Sequence, residues 1–408
     1  MTAREFSIEI IQKLTSAGYT AYWAGGCVRD LLLGKEPNDF DVATSAPPEQ
    51  VRDLFGKRRT LAVGESFGVI IVLGPKTAGQ IEVATFRTEG EYLDGRRPES
   101  VDFCSPEEDS KRRDFTINGM FYDPIAERVH DFVGGEKDLN RKLVRAIGVP
   151  QDRMEEDKLR LLRAVRFTAL LCFELEPATA DAVKIMASQI VVVSAERISQ
   201  ELRKMLAHPQ RASAMRLCEE LDLLAAILPE VVDATIQVSL ENWEQSLQVL
   251  DRLDVASFEM GMAVLLSDVR LDSVREICIR LKLSNQEKES IMWLVQHQGC
   301  LDQFPEWTLA EQKKLVVQPH FEQLFEIEQL RAIVQEKSGQ PYQFIKSFRS
   351  ERTAEELCPP ELLNGRTLIE LGHRPGPKFQ TWLKAVREAQ LNEEISTQEE
   401  AIALIKNL

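Results

Sequence analysis

Two aspartates one residue apart, Asp39 and Asp41, are the first side chains here whose types and spacing could do chemistry. The alternation of polar and apolar residues over 39–42 is typical of a strand, on which residues two apart point to one face. Adjacent carboxylates repel unless a cation lies between them, and Mg²⁺ favours such oxygens together with substrate phosphates. On its own, such a pair is more often a solvated strand or loop feature than a metal site.

The segment before this pair has the features of a phosphate-binding turn. Residues 22–24 form a short apolar run, predicted to be a buried strand, which stops at Gly25 and Gly26. Glycines let backbone N–H groups approach a phosphate, and a helix N-terminus behind them favours the anion. Arg29 lies on the first turn of the helix predicted at 27–33. The diglycine, Arg29 and the aspartate pair together predict a site of phosphoryl or nucleotidyl transfer.

The run GGCVRDLLLGKEPNDFD, residues 25–41, resembles the signature of the polymerase-beta-like nucleotidyltransferases. It is most similar to the class II tRNA nucleotidyltransferases (CCA-adding enzymes) and the related bacterial poly(A) polymerases. The resemblance implies an α+β fold, with an N-terminal polymerase-beta-like nucleotidyltransferase head containing a mixed β-sheet, followed by an all-α neck, body and tail. The implied segments are a catalytic head (1–145), a base-recognising helical neck (146–206), a helical body with a degenerate HD-like region (207–300) and an RNA-binding helical tail (301–408).

A second motif, RRDFTIN, begins with Arg112, Arg113 and Asp114, which we expect at the start of a helix. Cations at a helix N-terminus oppose the helix dipole, so their presence indicates an anion nearby. The resemblance assigns Arg113 to the nucleotide triphosphate and Asp114 to the ribose. The alternative is ordinary surface charge.

A third motif, EEDKLRLLRAVRF at 155–167, places Arg160, Arg163 and Arg166 three residues apart on a predicted helix, with Asp157 one step earlier. Like charges stacked this closely favour a polyanion opposite them, although a solvated basic face is the alternative. The resemblance assigns Asp157 and Arg160 to the incoming base, in place of a nucleic-acid template, and Arg163 and Arg166 to positions nearer the phosphates. A carboxylate accepts from the amino group of cytosine or adenine, and arginine donates to the ring.

The mechanism that the resemblance implies is two-metal nucleotidyl transfer. Asp39 and Asp41 would hold two Mg²⁺ ions, while Gly26, Arg29 and Arg113 would position the triphosphate. Partners expected on this basis are the 3′ end of tRNA as the acceptor, with ATP and CTP as substrates.

Three further segments carry weaker expectations. Glu82, on a predicted strand, either supports the metal pair or faces solvent. The charged loop at 87–101 resembles one that accompanies addition of the terminal A, and its plain interpretation is a surface loop. In the HD-like region, Gln245 and Ser267 stand where relatives with a phosphohydrolase site carry histidines, which leaves Asp268 without its partners, so no HD metal site is predicted.

Near the C-terminus, Arg366, Arg374 and Lys378 surround the turn LGHRPGP and are expected to contact RNA phosphates, with surface charge as the alternative. The net charge of −15 weakens an RNA-binding function without excluding it, because residues 137–169 hold nine basic against five acidic residues.

The chain has no run of 18 apolar residues, and its seven scattered cysteines favour reduced thiols, so a cytoplasmic protein without a membrane segment is expected. No protein partner is inferred. The favoured activity is addition of CCA, or its terminal A, to tRNA 3′ ends from CTP and ATP with release of pyrophosphate. An A-adding enzyme, or a poly(A) polymerase acting on other RNA, is the alternative. A non-catalytic RNA-binding homologue is disfavoured by the intact Asp39 and Asp41.

Overall fold

The computed structural model describes residues 1–64, 68–89, 101–237 and 240–408. The chain forms two compact units, Met1–Val232 and Asp233–Leu408, which are treated separately below. A mixed sheet in the first unit is followed by a mostly helical chain over the remaining described residues, which confirms the predicted α+β class. The finer division into head, neck, body and tail stays a prediction.

Over residues 1–64, 68–89 and 101–232, the first unit combines eleven strands with a series of helices. Its strands are β1 (Ala21–Ala24), β2 (Val42–Thr44), β3 (Thr60–Gly64), β4 (Val69–Leu73), β5 (Gln80–Thr85), β6 (Arg87–Glu89), β7 (Val101–Phe103), β8 (Phe121–Asp123), β9 (Arg128–His130), β10 (Leu143–Val144) and β11 (Glu174–Leu175). Its helices are α1 (Ala3–Ser16), α2 (Gly26–Leu32), α3 (Pro48–Phe55), α4 (Pro106–Lys111), α5 (Gly135–Asn140), α6 (Pro150–Glu156), α7 (Leu159–Leu171), α8 (Pro177–Met186), α9 (Ala195–Leu206), α10 (Arg211–Glu220) and α11 (Leu223–Ile227), with α12 (Pro229–Gln237) spanning the boundary.

Seven of these strands form the main sheet in the order β3-β4-β5-β2-β1-β8-β9. Only β2 and β5 are parallel neighbours, and the other pairs are antiparallel. The outer strands β6 and β7 pair with each other, so the ends of the charged loop at 87–101 form a short ribbon. Residues 90–100 of that loop lie outside the described residues.

One face of the sheet is closed by α1. Its N-terminus is fixed by a capping box, in which the Thr2 hydroxyl accepts from the Glu5 N–H and the Glu5 carboxylate accepts from the Thr2 N–H. Trp23, 1% exposed, points to this face and donates its indole N–H to the Ser7 hydroxyl of α1 at 2.9 Å. Because successive side chains of a strand point to opposite faces, Tyr22, next to Trp23, points away from α1.

Two local predictions were wrong. Asp39 and Asp41 lie just before β2 rather than within a strand, because the ladder with β1 and β5 begins at Val42. The arginines of RRDFTIN lie at the C-terminal end of α4, not at a helix N-terminus. The Ser105 capping box starts that helix earlier, so Arg112 and Arg113 follow its last turn, where cations suit the dipole.

The second unit is helical throughout its described residues. Its helices are α13 (Leu240–Arg252), α14 (Phe258–Leu265), α15 (Leu271–Arg280), α16 (Asn285–Gln296), α17 (Leu309–Val316), α18 (Phe321–Val334), α19 (Gln340–Ser350), α20 (Ala354–Leu357), α21 (Gly365–Glu370), α22 (Pro377–Leu391) and α23 (Gln398–Lys406). The last three helices share a small core built around Leu368, Val386 and Ile405. Among the described residues of both units, no helix is long and apolar enough to cross a membrane.

The Trp23–Ser7 hydrogen bond gives a test of how α1 is held to the sheet. Ser7→Ala leaves a buried indole N–H without a partner, which we expect to lower the free energy of unfolding by about 1–3 kcal/mol. Ser16→Ala, on the exposed last turn of the same helix, is the matched control and should change it by less than about 0.5 kcal/mol. Chemical denaturation measures both, and equal stability of the two variants would contradict the assigned contact.

Candidate active site

The parallel pairing of β2 with β5 brings two acidic side chains to one face of the sheet. Ala43 lies opposite Ala84 in this ladder, so Asp41 and Glu82, each two residues earlier, also lie side by side. Both are exposed at the face opposite α1, as the alternation along β5 requires. The sheet register brings Glu82 near Asp41, and whether Glu82 supports the aspartate pair or only faces solvent stays a prediction.

The environment of Asp41 disfavours its ionised form. Although its side chain remains accessible to solvent, the protein around it raises its pKa to about 6 through loss of hydration first and then through repulsion by Glu82. Arg113 opposes this shift, and Asp39 adds a smaller repulsion. A bound cation would relieve this repulsion between carboxylates.

The donor set at this place suits a hard divalent cation completed by a substrate. No group of three or more His, Cys, Asp or Glu side chains within the described residues is arranged to hold a metal ion by itself. Mg²⁺ usually binds through one or two carboxylates and keeps other positions for water and substrate phosphates. Asp39 and Asp41 fit that pattern, since they offer oxygen ligands at an open surface.

The diglycine turn lies against two guanidinium groups. Gly25 adopts a φ of +74° immediately before α2, a conformation that favours glycine. A Cβ on Gly25 would lie 3.3 Å from Nη1 of Arg113, and one on Gly26 would lie 3.7 Å from Nη2 of Arg29. The glycines thus let both arginines approach the backbone, and positive charge collects at the start of α2.

Arg113 is held in place by a residue that sequence reasoning missed. Asp109, 1% exposed, accepts from Nε and Nη2 of Arg113 at 3.1 and 3.0 Å, and from Nε of Arg112 at 2.8 Å. Burial alone would raise the pKa of Asp109, but Arg113 and Arg112 hold it below its ordinary value. The available signal was the spacing of four from Asp109 to Arg113 across the end of a helix.

A continuous chain of polar contacts links Arg29 to α7. Arg29 contacts Asp30 and donates from Nη1 to the Asn118 amide oxygen at 2.8 Å. Asn118 in turn donates to Asp114 at 3.3 Å, and Arg163 of α7 donates from Nε and Nη2 to the other oxygen of Asp114 at 2.7 and 2.5 Å. The structure therefore places Asp114 in an ion pair in which two N–H groups of Arg163 converge on one carboxylate oxygen.

Asp114 is strongly stabilised in its ionised form. Its residue is 7% exposed, and this burial would by itself raise the pKa of the carboxyl. Arg163, with a smaller contribution from Arg160 and from the Phe115 N–H, instead lowers that pKa to about 2. The carboxylate is therefore charged throughout the physiological range and holds Arg163 at the end of the network.

The two residues expected to contact the base both have protein partners. Asp157 lies between α6 and α7, not on the arginine row as predicted, and accepts from Arg197 of α9 at 2.7 Å. Arg160 donates to Glu156 at 2.5 Å and, through Nη2, to the Arg112 carbonyl at 2.9 Å. Arg197 was missed because no local pattern connects it with a residue 40 positions earlier.

Each arginine of the α7 row has an acidic partner within the protein. Arg160 pairs with Glu156, Arg163 with Asp114 and Arg166 with Glu201. The like charges are therefore compensated within the protein, and a polyanion facing this row stays a prediction. The ring of Phe167 lies among three guanidinium groups, those of Arg29, Arg163 and Arg166, with Cζ atoms 5.3, 5.2 and 4.1 Å from its centroid.

The remaining candidate residues belong to the second unit. Arg366, Arg374 and Lys378 are exposed at or near the turn between α21 and α22. Arg366 donates to Glu370, four residues later on the same helix, at 3.1 Å. In the HD-like region Asp268 accepts from the Asn242 amide at 3.2 Å, whereas His297 stacks on Trp293. No cluster of metal-ligating side chains forms there within the described residues.

Three family models match successive parts of the chain. The model described as "Poly A polymerase head domain" matches residues 21–145, and an RNA and SrmB-binding site of polymerase A matches residues 172–235. A model for domain 2 of tRNA nucleotidyltransferase matches residues 255–405.

Similarity to single proteins extends over nearly the whole chain. The CCA-adding enzyme of Geobacillus kaustophilus is 33% identical over 98% of this chain and 95% of its own length. The chain belongs to the CCA-adding enzyme family. The Geobacillus stearothermophilus enzyme is 34% identical over 97% of the chain and 95% of its own length.

Solved structures of CCA-adding enzymes share the fold. The crystal structure of the Bacillus stearothermophilus CCA-adding enzyme in complex with CTP has a TM-score of 0.78 at 30% identity, covering 100% of this chain and 98% of that one. The Thermotoga maritima CCA-adding enzyme with tRNA, at 20% identity and a TM-score of 0.66 over 99% of this chain and 94% of that one, is similar in fold. Family membership makes this chain a nucleotide-binding nucleotidyltransferase and implies dependence on a divalent metal ion.

The Asp114–Arg163 pair predicts a pH-dependent contribution to stability. Because the pKa of Asp114 falls from 3.8 to about 2 on folding, the pair contributes about 2 kcal/mol above pH 4, and this is lost as the pH falls through about 2. Asp114→Asn should remove at least this amount at pH 7 and flatten the dependence of stability on pH between 4 and 2. Urea unfolding at a series of pH values measures both.

The exposed Asp152 of α6 supplies the matched control. Asp152→Asn should follow the wild-type curve within about 0.5 kcal/mol. A curve for Asp114→Asn that coincides with the wild-type curve would mean that the ion pair does not form in solution.

Proposed function

We propose that this chain adds CCA, or its terminal A, to the 3′ ends of tRNA from CTP and ATP with release of pyrophosphate. The observation that carries the proposal is the juxtaposition of Asp41 and Glu82 with Arg113 at the Gly25 turn. Acidic ligands for a cation and guanidinium groups for a triphosphate lie together on one open sheet face. The relatives whose names specify CCA addition support the same reaction.

Asp39 and Asp41 are the metal ligands in this proposal, with Glu82 supporting Asp41 from the neighbouring strand. Mg²⁺ bound there would supply Lewis acidity toward the RNA 3′-hydroxyl and the triphosphate. The raised pKa of Asp41 fits this role, because a site that crowds carboxylates is poorly compensated until a cation binds.

The triphosphate is proposed to lie along the start of α2. Gly26 offers backbone N–H groups at close range, and Arg29 and Arg113 add charge whose directions are fixed by Asp30 and Asp109. Guanidinium groups held in this way stabilise the negative charge that develops on the leaving pyrophosphate without reorganising.

Base selection is proposed for Asp157 and Arg160, with Arg163, Arg166 and Asp114 shaping the pocket around them. Because Asp157 already accepts from Arg197, a base amino group would share or replace that contact. The contacts of Arg160 with Glu156 and with the Arg112 carbonyl fix the orientation of its guanidinium plane. Its other guanidinium N–H groups are then proposed to donate to the ring of the incoming base. The ribose is assigned to the neighbourhood of Asp114.

The RNA acceptor is proposed to contact Arg366, Arg374 and Lys378 through its phosphates. These three side chains are exposed, on α21 (Arg366), on the turn that follows it (Arg374) and at the start of α22 (Lys378), which suits contacts that position without reading sequence. Such contacts weaken as salt concentration rises, so they also predict a salt-dependent affinity for tRNA.

Nucleotide incorporation onto tRNA transcripts tests the activity. Transcripts ending before CCA, after C and after CC are incubated with CTP and ATP, singly and together, in the presence of Mg²⁺. We expect CTP to extend the shortest transcript by two residues and ATP to complete it. The reason is that the proposed base pocket offers Asp157 as an acceptor and Arg160 as a donor, and both cytosine and adenine can pair with such groups. A transcript that already ends in CCA is the control and should not be extended.

Other patterns distinguish the alternatives. Extension of only the CC-ended transcript, and only by ATP, identifies an A-adding enzyme. Long A tails on unrelated RNA identify a poly(A) polymerase. No incorporation in any combination would contradict the catalytic assignment and leave an RNA-binding homologue.

A further inference from the structure

One buried carboxylate connects the strands beside the acidic residues with the arginine at the Gly25 turn. Asp109, on α4, is 1% exposed. Its Oδ2 accepts from Nε and Nη2 of Arg113 at 3.1 and 3.0 Å. Its Oδ1 accepts from Nε of Arg112 at 2.8 Å and from the backbone N–H of Arg87 at 3.1 Å. The two oxygens of one side chain therefore hold different parts of the first unit.

The backbone N–H of Arg87 belongs to the chain that leaves the main sheet at the end of β5. Phe86, the residue before it, donates its own N–H to the carbonyl of Thr44 on β2 at 2.7 Å. Arg87 is the first residue of β6, and its N–H donates to Asp109. Asp109 is thereby fixed relative to β2 and β5, the two strands beside which the acidic residues of the candidate active site lie.

On its other side, Asp109 fixes the guanidinium that reaches the place proposed for the triphosphate. Because Nε and Nη2 of Arg113 are used by Asp109, the group is held along one edge. Cζ of Arg113 lies over the ring of Phe121, 4.9 Å from its centroid. A Cβ on Gly25 would lie 3.3 Å from the remaining nitrogen, Nη1. The edge and the face of the guanidinium are thus both contacted, while Nη1 lies at the Gly25 turn.

The alternative interpretation is an ordinary ion pair between neighbouring residues at a helix end, which contributes little when it is exposed to water. Asp109 is buried instead, and burial would raise its pKa, yet Arg113, Arg112 and the Arg87 N–H together hold that pKa below its ordinary value. A buried carboxylate is tolerated only with several donors. The donors here come from a strand and from two arginines, which suits a group that orients the side chains of a site.

We propose that Asp109 is a positioning residue for nucleotide binding. Joined to β6 through the Arg87 N–H, it sets the direction of Arg113 and its distance from the acidic residues beside β2 and β5. The inference rests on the proposed function, because Arg113 is taken there as a ligand of the triphosphate. A triphosphate contacts the guanidinium and the metal ion at the same time, so their separation must be set before the substrate arrives.

The test compares the binding of CTP and CMP by isothermal titration calorimetry, with Mg²⁺ and without RNA. CMP lacks the β- and γ-phosphates, so its affinity does not depend on contacts with them. Asp109→Asn replaces one acceptor oxygen with a donor and releases part of the hold on the arginines. We expect it to weaken CTP binding at least about tenfold, because the substrate must then order Arg113, and CMP binding less than about twofold. A general loss of structure would weaken both ligands alike.

Arg87→Pro tests the link to β6 itself. Proline lacks the N–H and is tolerated at the first residue of a strand. Arg87→Ala is its comparison, because it loses the same side chain but keeps the N–H. We expect Arg87→Pro to bind CTP at least about threefold more weakly than Arg87→Ala, with equal affinities for CMP. In the Asp109→Asn background this difference should disappear, because Arg113 is then no longer coupled to β6.

Glu107→Gln is the matched control on α4, because Glu107 is exposed and pairs with Lys111. It should leave both affinities unchanged. Circular dichroism confirms that each variant is folded, and the variants at two independent positions keep the inference testable if one of them is not.

Wild-type affinity for CTP in folded Asp109→Asn would overturn the inference. Equal weakening of CTP and CMP would overturn it as well, and so would equal binding of CTP by Arg87→Pro and Arg87→Ala. Because the calorimetry needs no acceptor RNA, its outcome is distinct from that of the tRNA extension assay, which alone tests the proposed function.

Discussion

The buried ion pair between Asp114 and Arg163 fixes the geometry on which the candidate site depends. Removing either charge from water is costly, and only a closely placed pair with further hydrogen bonds to its remaining lone pairs offsets that cost. Asp114 meets this condition through Arg163, the Phe115 N–H and the Asn118 amide. Because Asn118 also binds Arg29, one carboxylate aligns α7 with the turn before α2.

The second constraint is the parallel register of β2 and β5. It brings Asp41 near Glu82, and the pKa of Asp41 is raised to about 6 by burial first and by repulsion from Glu82 second. The rest of the first unit opposes the repulsion only in part, through Arg113. Repulsion of this kind between carboxylates is typical of sites where a bound cation and substrate relieve it. The residues that destabilise the free protein here are therefore the ones proposed to bind the metal ion.

Local patterns predicted the parts of the site that are close in sequence. The diglycine, Asp39 and Asp41 were found because the turn, the helix and the aspartate pair follow one another within twenty residues. The misplacement of Arg112 and Arg113 could have been avoided from the sequence, since Ser105 and Glu108 have capping-box spacing and start α4 earlier.

The partners of Arg163 and Arg166 were beyond sequence reasoning, whereas Glu156 lies only four residues before Arg160. Arg163 pairs with Asp114 across 49 positions, and Arg166 pairs with Glu201 across 35. Such pairs depend on how α7 packs against its neighbours, which periodicity does not encode. The basic row therefore predicted a polyanion but not the three carboxylates with which the fold pairs its arginines.

The most direct test of the central claim compares Asp39→Ala and Asp41→Ala in CTP incorporation and in tRNA binding. The account predicts that each variant loses at least about 10³-fold in transfer rate while its affinity for tRNA stays within about twofold, because metal ligation serves the chemical step. Asp53→Ala, an exposed aspartate on α3, should retain both properties. Transfer at the wild-type rate by either active-site variant would contradict the assignment of the aspartate pair.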